Sequence, residues 1–149
     1  MKKIMIVAPH PDDAYIGCAG YVLSNTSRCE VDILCLTNKN LRPSANKRLE
    51  EEVQAWTMIE DYSKSPINIH IFEDGVDTAL FKQLDTVINY IESFLKSAEY
   101  ECIFTPFLQD SHQDHTTATR ATIAAARYQR VIVTGKRFYI VDDIIQLFK

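Results

Sequence analysis

Histidine and aspartate crowd two short stretches of this chain. The first is Ala8-Pro9-His10-Pro11-Asp12-Asp13, and the second is Gln109-Asp110-Ser111-His112-Gln113-Asp114-His115. Together they hold three of the four histidines; the fourth, His70, stands in a strand-like run and reads as an ordinary structural residue. Imidazole nitrogen and carboxylate oxygen are ligands that borderline Zn²⁺ accepts, and a catalytic zinc takes three protein ligands while keeping a fourth position open. Two histidines with one aspartate supply such a set, and the same set suits Fe²⁺. Pro9 and Pro11 fix φ on either side of His10 and stiffen the segment that presents it. Singly, each stretch is a weaker signal. A lone histidine is more often a surface or core residue, and an Asp pair after proline is more often a turn or a helix cap.

What gives the stretches weight is the order of elements around them. Lys3–Ala8, Glu30–Leu36, Ile67–Phe72, Glu101–Thr105 and Arg137–Val141 read as strands. Tyr15–Ser24, Ala45–Asp61, Asp77–Ser97 and Thr116–Tyr128 read as helices. In the second helix Leu49, Val53, Trp56 and Ile59 fall on one face. In the third, Leu80, Leu84, Val87, Ile88, Ile91, Phe94 and Leu95 form a stripe, with Asp77 or Thr78 at its start as a cap. The fourth is rich in Ala and Thr, small enough to lie close on a sheet. Strands alternating with helices specify an α/β fold: a Rossmann-like three-layer sandwich on a mostly parallel five-stranded sheet. Right-handed crossovers favour the strand order 3-2-1-4-5. That order makes the first and fourth strands neighbours, and the crevice beyond their carboxyl ends is where such sheets bind ligands. Each His/Asp stretch follows one of those two strands, so the fold predicts that they meet. No internal repeat, low-complexity stretch or linker divides the sequence, and residues 1–149 read as a single domain.

Composition narrows the function classes. The chain has 149 residues, 46% of them hydrophobic and 24% charged, with a net charge of −4. Such a balance provides no general attraction for nucleic acid or anionic membrane, both of which need clustered Lys and Arg. The apolar run Ile4–Ala8 stops too soon for a signal peptide, and no run approaches a membrane span. The expectation is a cytoplasmic protein with a small-molecule partner, self-association being left open. Cys18, Cys29, Cys35 and Cys102 form no CxxC pair and read as free thiols. G-x-G-x-x-G, G-x-S-x-G and Walker A motifs are absent.

At these residues the chain resembles the LmbE-like, or PIG-L, family of zinc-dependent N-deacetylases. That family includes the deacetylases of N-acetylglucosaminyl-phosphatidylinositol and of the mycothiol and bacillithiol pathways. Its P-H-P-D-D signature corresponds to Pro9–Asp13, and the glycine-rich stretch that follows corresponds to Gly17-Cys18-Ala19-Gly20. Its H-x-D-H signature, often with an Asp two residues before, corresponds to His112–His115 with Asp110. A Thr after the second strand and an R-x-E-E on the next helix are matched by Thr37 and Arg48-Leu49-Glu50-Glu51. The resemblance implies that His10, Asp13 and His115 hold the metal and that Asp12 is the general base. It implies that His112, as a charged imidazole, stabilises the oxyanion or protonates the departing amine, with Asp114 as its partner. By the same analogy Arg48 is a candidate for a substrate phosphate or carboxylate, the plainer reading being a solvated residue paired with Glu51 or Glu52. Arg42 lies where the crevice opens, and Phe107 with Leu108 is a candidate apolar wall of the pocket or part of the core. The implied reaction is removal of an N-acetyl group from an amino sugar or an N-acetylglucosaminyl conjugate.

The sequence departs from the family in three places. Ala14 stands where the family usually has Glu, which leaves the implied ligands intact but bears on loop rigidity or substrate contact. Ala19 replaces a glycine. Family members usually run considerably longer, with a C-terminal part that closes the sheet and lines the pocket, so the resemblance reads this fold as truncated at the C-terminus. Those departures keep two other functions in view: a degenerate metal- or carbohydrate-binding domain, and an amidase with a non-sugar substrate.

Overall fold

The computed structural model describes residues 1–25, 27–39, 43–127 and 132–135. Strand β1 (Lys2–Ala8) leads to helix α1 (Asp13–Ser24), then β2 (Cys29–Cys35), α2 (Pro43–Ser63) and β3 (Ile67–Ile71). A 3-10 turn (Leu80–Gln83) runs into α3 (Leu84–Ser97), followed by β4 (Cys102–Pro106), α4 (Gln113–Ala125) and β5 (Ile132–Gly135). The strands form one sheet in the order β3-β2-β1-β4-β5, every pairing parallel. Three-layer architecture and strand order are therefore those expected from the alternation of elements.

Alternate residues of the central strands feed two separate cores, as the period of a strand with both faces covered requires. Ile4, Ile6 and Ala8 of β1 pack with α1 and with Trp56 and Ile59 of α2. Met5 and Val7 pack with Leu80, Val87 and Ile91 around α3 and with Ala118, Ala121 and Ala125 of α4. The small side chains of α4 do let it sit close. Thr119 and Thr122 are fully buried, and Thr119 Oγ1 donates to the Pro106 carbonyl at 2.6 Å.

Several boundaries differ from expectation. The fifth strand is Ile132–Gly135, beside β4; Arg137–Val141, where it was expected, lies outside the described residues. Its β-branched residues come sooner after α4 than the longer connection that was assumed. The third helix does not begin at Asp77 or Thr78. Thr78 is left-handed, with φ 65°, and Gln83 folds back over the approach, accepting from Val76 N–H at 2.9 Å and donating to the Asp74 carbonyl at 2.7 Å. Neither Asp77 nor Thr78 is therefore a cap. Helix α1 starts two residues early, at Asp13, and α4 three residues early, at Gln113, which places site residues within first turns.

Candidate metal centre

Strands β1 and β4 run side by side, with Ile4 opposite Cys102 and Ile6 opposite Phe104. The segments leaving Ala8 and Pro106 therefore emerge together at one end of the sheet. After β1 the chain is pinned where Thr37 Oγ1 donates to the Pro9 carbonyl at 2.8 Å, from a fully buried position. It then turns through Asp12, whose backbone is left-handed at φ 86°, and enters α1. This turn folds the Asp13 carboxylate back on His10: Oδ2 accepts the His10 N–H at 2.9 Å and lies 3.3 Å from His10 Nδ1.

After β4, His112 caps α4, its Nδ1 accepting the N–H of Asp114 at 3.2 Å. His115, in the first turn, places Nε2 3.3 Å from the same Asp13 Oδ2. His10, Asp13 and His115 thus offer three ligand atoms within 4.8 Å of one another. Each imidazole has its other nitrogen against a carboxylate. His10 Nε2 is 2.9 Å from Asp114 Oδ2 and 3.2 Å from Asp77 Oδ1; His115 Nδ1 is 3.1 Å from Asp110 Oδ2. A metal-binding histidine is typically held this way, which fixes its tautomer and raises its basicity.

His10, His112 and Asp114 form a second group of the same compactness. It fits a metal less well. The Asp114 carboxylate already accepts the N–H groups of Thr78 at 2.7 Å and Leu80 at 3.2 Å. His112 has no carboxylate behind it among the described residues, and its Nδ1 is taken by a backbone donor.

The electrostatics follow from this packing. Burial pulls the His10 pKa down, but Asp114 and Asp13 outweigh it and raise it to about 9. His115 moves up for the same reason, Asp13 overcoming burial. Burial would raise the Asp13 carboxyl, yet the two imidazoles hold it well below the usual carboxylate range. Asp12 moves the other way: burial and the neighbouring Asp13 raise it, against the pull of Arg48.

The Asp12 carboxylate is not one of the three grouped ligands; its Oδ2 lies 3.3 Å from Arg48 Nη1. Arg48 therefore pairs with Asp12 and not with Glu51 or Glu52. Asp114, expected beside the His112 ring, instead puts its carboxylate on His10; only its main-chain N–H reaches His112. Because His112 Nδ1 accepts the Asp114 N–H, the ring nitrogen left to act as a donor is Nε2. Phe107 is half-buried and Leu108 is 41% exposed; the Phe107 carbonyl accepts the Asp110 N–H at 3.1 Å, but neither side chain makes a ring contact with the cluster. Arg42 lies outside the described residues. Position 14 is completely buried in the core, where alanine fits.

Sequence reading missed two residues. Asp77 was read as a helix cap and instead faces His10. Glu52 was read as part of a solvated charge run, yet it is 5% exposed. Its Oε2 accepts the Asp12 main-chain N–H, and its Oε1 accepts from Trp56 Nε1 at 3.0 Å. The signal lay in the spacing: 52, 56, 59 and 63 form the buried stripe of α2, whereas Val53, assigned to the inner face, is 43% exposed.

The model of the PIG-L family, described as GlcNAc-PI de-N-acetylase, matches residues 5–126. By sequence, none of the curated proteins matches the chain. Among solved structures, the N,N'-diacetylchitobiose deacetylase of Pyrococcus horikoshii, complexed with its inhibitor MPG, superposes with a TM-score of 0.66 at 23% identity, over 85% of this chain and 50% of that one. A conserved protein of Thermus thermophilus, TT1542, gives a TM-score of 0.66 at 23% identity, over 94% of this chain and 63% of its own. GalB of Pseudomonas putida KT2440, a 4-carboxy-2-hydroxymuconate hydratase, gives 0.63 at 17% identity, over 83% and 56%. The chain thus spans between half and two thirds of the length of these structures, and at such identities the likeness is one of fold. The family match is of another kind, because it runs through both histidine-bearing segments and every element from β1 to α4: the chain belongs to the PIG-L (GlcNAc-PI de-N-acetylase) family.

Proposed function

We propose that this chain is a metal-dependent N-deacetylase, acting on an amino sugar or an N-acetylglucosaminyl conjugate, with zinc held by His10, Asp13 and His115. One observation carries the reading: both imidazoles of that group turn one nitrogen toward a shared Asp13 oxygen and the other toward a separate carboxylate. Two imidazoles and a carboxylate, each oriented from behind, are a donor set that fits Zn²⁺ and also Fe²⁺. When bound, such a metal supplies Lewis acidity, which acidifies water and polarises a carbonyl.

The rest of the chemistry falls to the chain. The Asp12 carboxylate stands beside the group without belonging to it and takes the proton of the attacking water. The water oxygen bonds to the acyl carbon, the C–N bond breaks, and the products are a carboxylate and an amine. His112, whose Nδ1 accepts a backbone hydrogen bond, carries its proton on Nε2 when neutral. That N–H is suited to donate a hydrogen bond to the oxyanion, while the proton that Asp12 took from the water is the one passed on to the departing nitrogen. Arg42 and Phe107 remain candidates for contact with substrate; Arg48 acts first on Asp12. Within the described residues no helix is long and apolar enough to cross a membrane, which is compatible with a small-molecule substrate.

Elemental analysis of the purified protein beside His115→Ala, with amine release from N-acetylglucosamine and N,N'-diacetylchitobiose, tests the proposal. The expected result is about one zinc or iron per chain, lost in the variant, and turnover that falls on the order of 10²-fold in Asp12→Asn. No metal uptake after incubation with zinc would overturn it. Sugar binding without turnover, unchanged in Asp12→Asn, would instead establish a binding domain, and release only from non-sugar amides would establish an amidase.

A further inference from the structure

We propose that Glu52 is the positioning residue of Asp12: it holds the main chain of the general base in its left-handed turn and so sets where the carboxylate stands. This rests on the deacetylase reading for its consequence in catalysis, but not for the contact itself.

Glu52 is almost completely buried, and among the described residues no Lys or Arg pairs with it. A buried carboxylate without a cationic partner is costly. An apolar residue would suit a stripe that continues with Trp56 and Ile59 at least as well for stability. Both of its oxygens are nonetheless committed. Oε1 takes the Trp56 indole N–H at 3.0 Å, which fixes the side chain, and Oε2 takes the main-chain N–H of Asp12. Asp12 needs such a hold. At φ 86° it occupies a region that L-residues with a side chain enter at a cost of about 1 kcal/mol or more. Its N–H is the donor that the turn would otherwise leave buried without a partner. Glycine would relieve the backbone but would remove the carboxylate the reaction uses.

The neighbouring contact completes the hold. Arg48, one helical turn before Glu52, lies 3.3 Å from the Asp12 carboxylate. Arg48, Glu52 and Trp56 are spaced i, i+4, i+8 and share one face of α2. From that rail, Arg48 reaches the side chain of Asp12 and Glu52 its backbone.

Glu52→Gln separates positioning from mere packing, because it keeps the shape and removes one acceptor. An amide oxygen can serve either Asp12 N–H or Trp56 Nε1–H, and its NH2 then faces the other donor. In the parent the Asp12 amide proton, as the donor to Glu52, is expected downfield of a solvent-exposed amide and slow to exchange. In Glu52→Gln it moves upfield and exchanges at least about tenfold faster, as expected when a hydrogen bond worth about 1.5 kcal/mol is lost. Adding Trp56→Phe removes the competing donor and restores the Asp12 resonance. Glu51→Gln, on the exposed side of the helix, leaves it in place. An Asp12 amide unmoved by Glu52→Gln overturns the proposal.

Kinetics on N-acetylglucosamine supply the second arm. Glu52→Gln lowers kcat about 10²-fold, with KM and metal content as in the parent, because displacing a reacting group by an ångström has that effect. Combined with Asp12→Asn, the two losses do not multiply. A Glu52→Gln enzyme with parental kcat overturns the positioning role. A protein that takes up no zinc overturns the deacetylase reading and leaves the amide result standing.

Discussion

Gly75 is where the loop between β3 and α3 approaches Leu36, and replacing it with alanine tests how the candidate metal centre is supported from outside. A Cβ at this position would lie 1.7 Å from the Leu36 carbonyl oxygen and 2.7 Å from its carbon, both backbone atoms that cannot rotate aside. The loop must retreat by more than about 1 Å to reach an ordinary contact. The Gly75 carbonyl accepts the N–H groups of both Asn38 and Lys39 at 2.8 Å, and its own N–H donates to the Phe72 carbonyl at 3.0 Å. Losing two of those bonds costs about 1 kcal/mol each, and the overpacking adds roughly 1–3 kcal/mol, or about 3–5 kcal/mol together. For a domain of this size, about 3 kcal/mol lowers Tm by roughly 6–12 °C. The effect reaches the site as well. Thr78 and Leu80, just beyond Gly75, donate to the Asp114 carboxylate that orients His10. Zinc affinity should therefore fall along with stability. Calorimetry and a zinc-indicator competition read the two effects, with Asp74→Ala as a control, since that side chain is exposed and pairs only at the surface with Lys39. A Gly75→Ala protein within about 0.5 kcal/mol of the parent, an ordinary surface effect, would refute the close approach to Leu36.

Other outcomes follow from the charges. His10 holds its proton up to about pH 9 and His115 is raised as well, so a divalent cation must displace at least one proton, and zinc affinity should rise at least about tenfold per pH unit between about pH 6 and 8. Indicator competition, corrected for protonation of the indicator, measures the slope, and a flat profile would mean that His10 is no ligand. Asp110→Asn should weaken zinc binding by about 10–100-fold through its hold on His115, read in the same assay; unchanged affinity would remove Asp110 from the site. On the far side of the sheet, burial works to raise the Asp32 carboxyl, but Tyr100, Lys3, Asn68 and His70 outweigh it and hold the pKa below the usual value. A depressed folded-state pKa stabilises above the unfolded value, about 4, and that stability is lost as pH falls through the folded one. Denaturation midpoints should therefore drop in acid for the parent and less steeply for Asp32→Asn, which should also cost about 2 kcal/mol at neutral pH. Parallel acid limbs would refute the role of Asp32.

The sheet was legible because its signals are local and repeated. Apolar runs bounded by turn residues gave four strands within a residue or two, and the α3 stripe from Leu84 to Leu95 is the half-buried or buried face observed. Topology then brought His10 and His115 together without any knowledge of side chains, since handedness alone makes β1 and β4 neighbours. The failures lie where a side chain's partner is far away in sequence. Asp114 was assigned to its near neighbour His112, yet its carboxylate bonds to His10 and to Thr78 and Leu80. Asp77 carries the signature of a helix cap, and nothing nearby reveals that Gln83 and Asp114 hold its loop in another shape. Glu52 sits in a run of three glutamates, of which the spacing to Trp56 alone marks the buried one.

Fold and reaction come apart among the structural neighbours. A hydratase superposes on this chain nearly as well as a deacetylase does, with TM-scores of 0.63 and 0.66. Backbone similarity is thus equally compatible with adding water to a substrate and with using water to cleave one, and the choice must rest on side chains. The three-residue donor group does not make it, because an activated water serves either reaction. Cleaving an amide has one further requirement, a proton for the departing nitrogen; in the deacetylase reading Asp12, holding the proton taken from the water, supplies it, and the Nε2–H of His112, whose Nδ1 accepts from the Asp114 backbone, is left to hydrogen-bond the oxyanion. His112→Gln, which can still donate a hydrogen bond but cannot transfer a proton, therefore bears on the reaction more directly than any ligand substitution does. If the site is a deacetylase, that variant binds zinc normally and keeps amide turnover within about tenfold of the parent, whereas His112→Ala loses about 10²–10³-fold on an amide and on a p-nitrophenyl ester alike. A large loss in His112→Gln confined to the amide, with the ester spared, would refute this and make His112 the proton donor to the departing nitrogen.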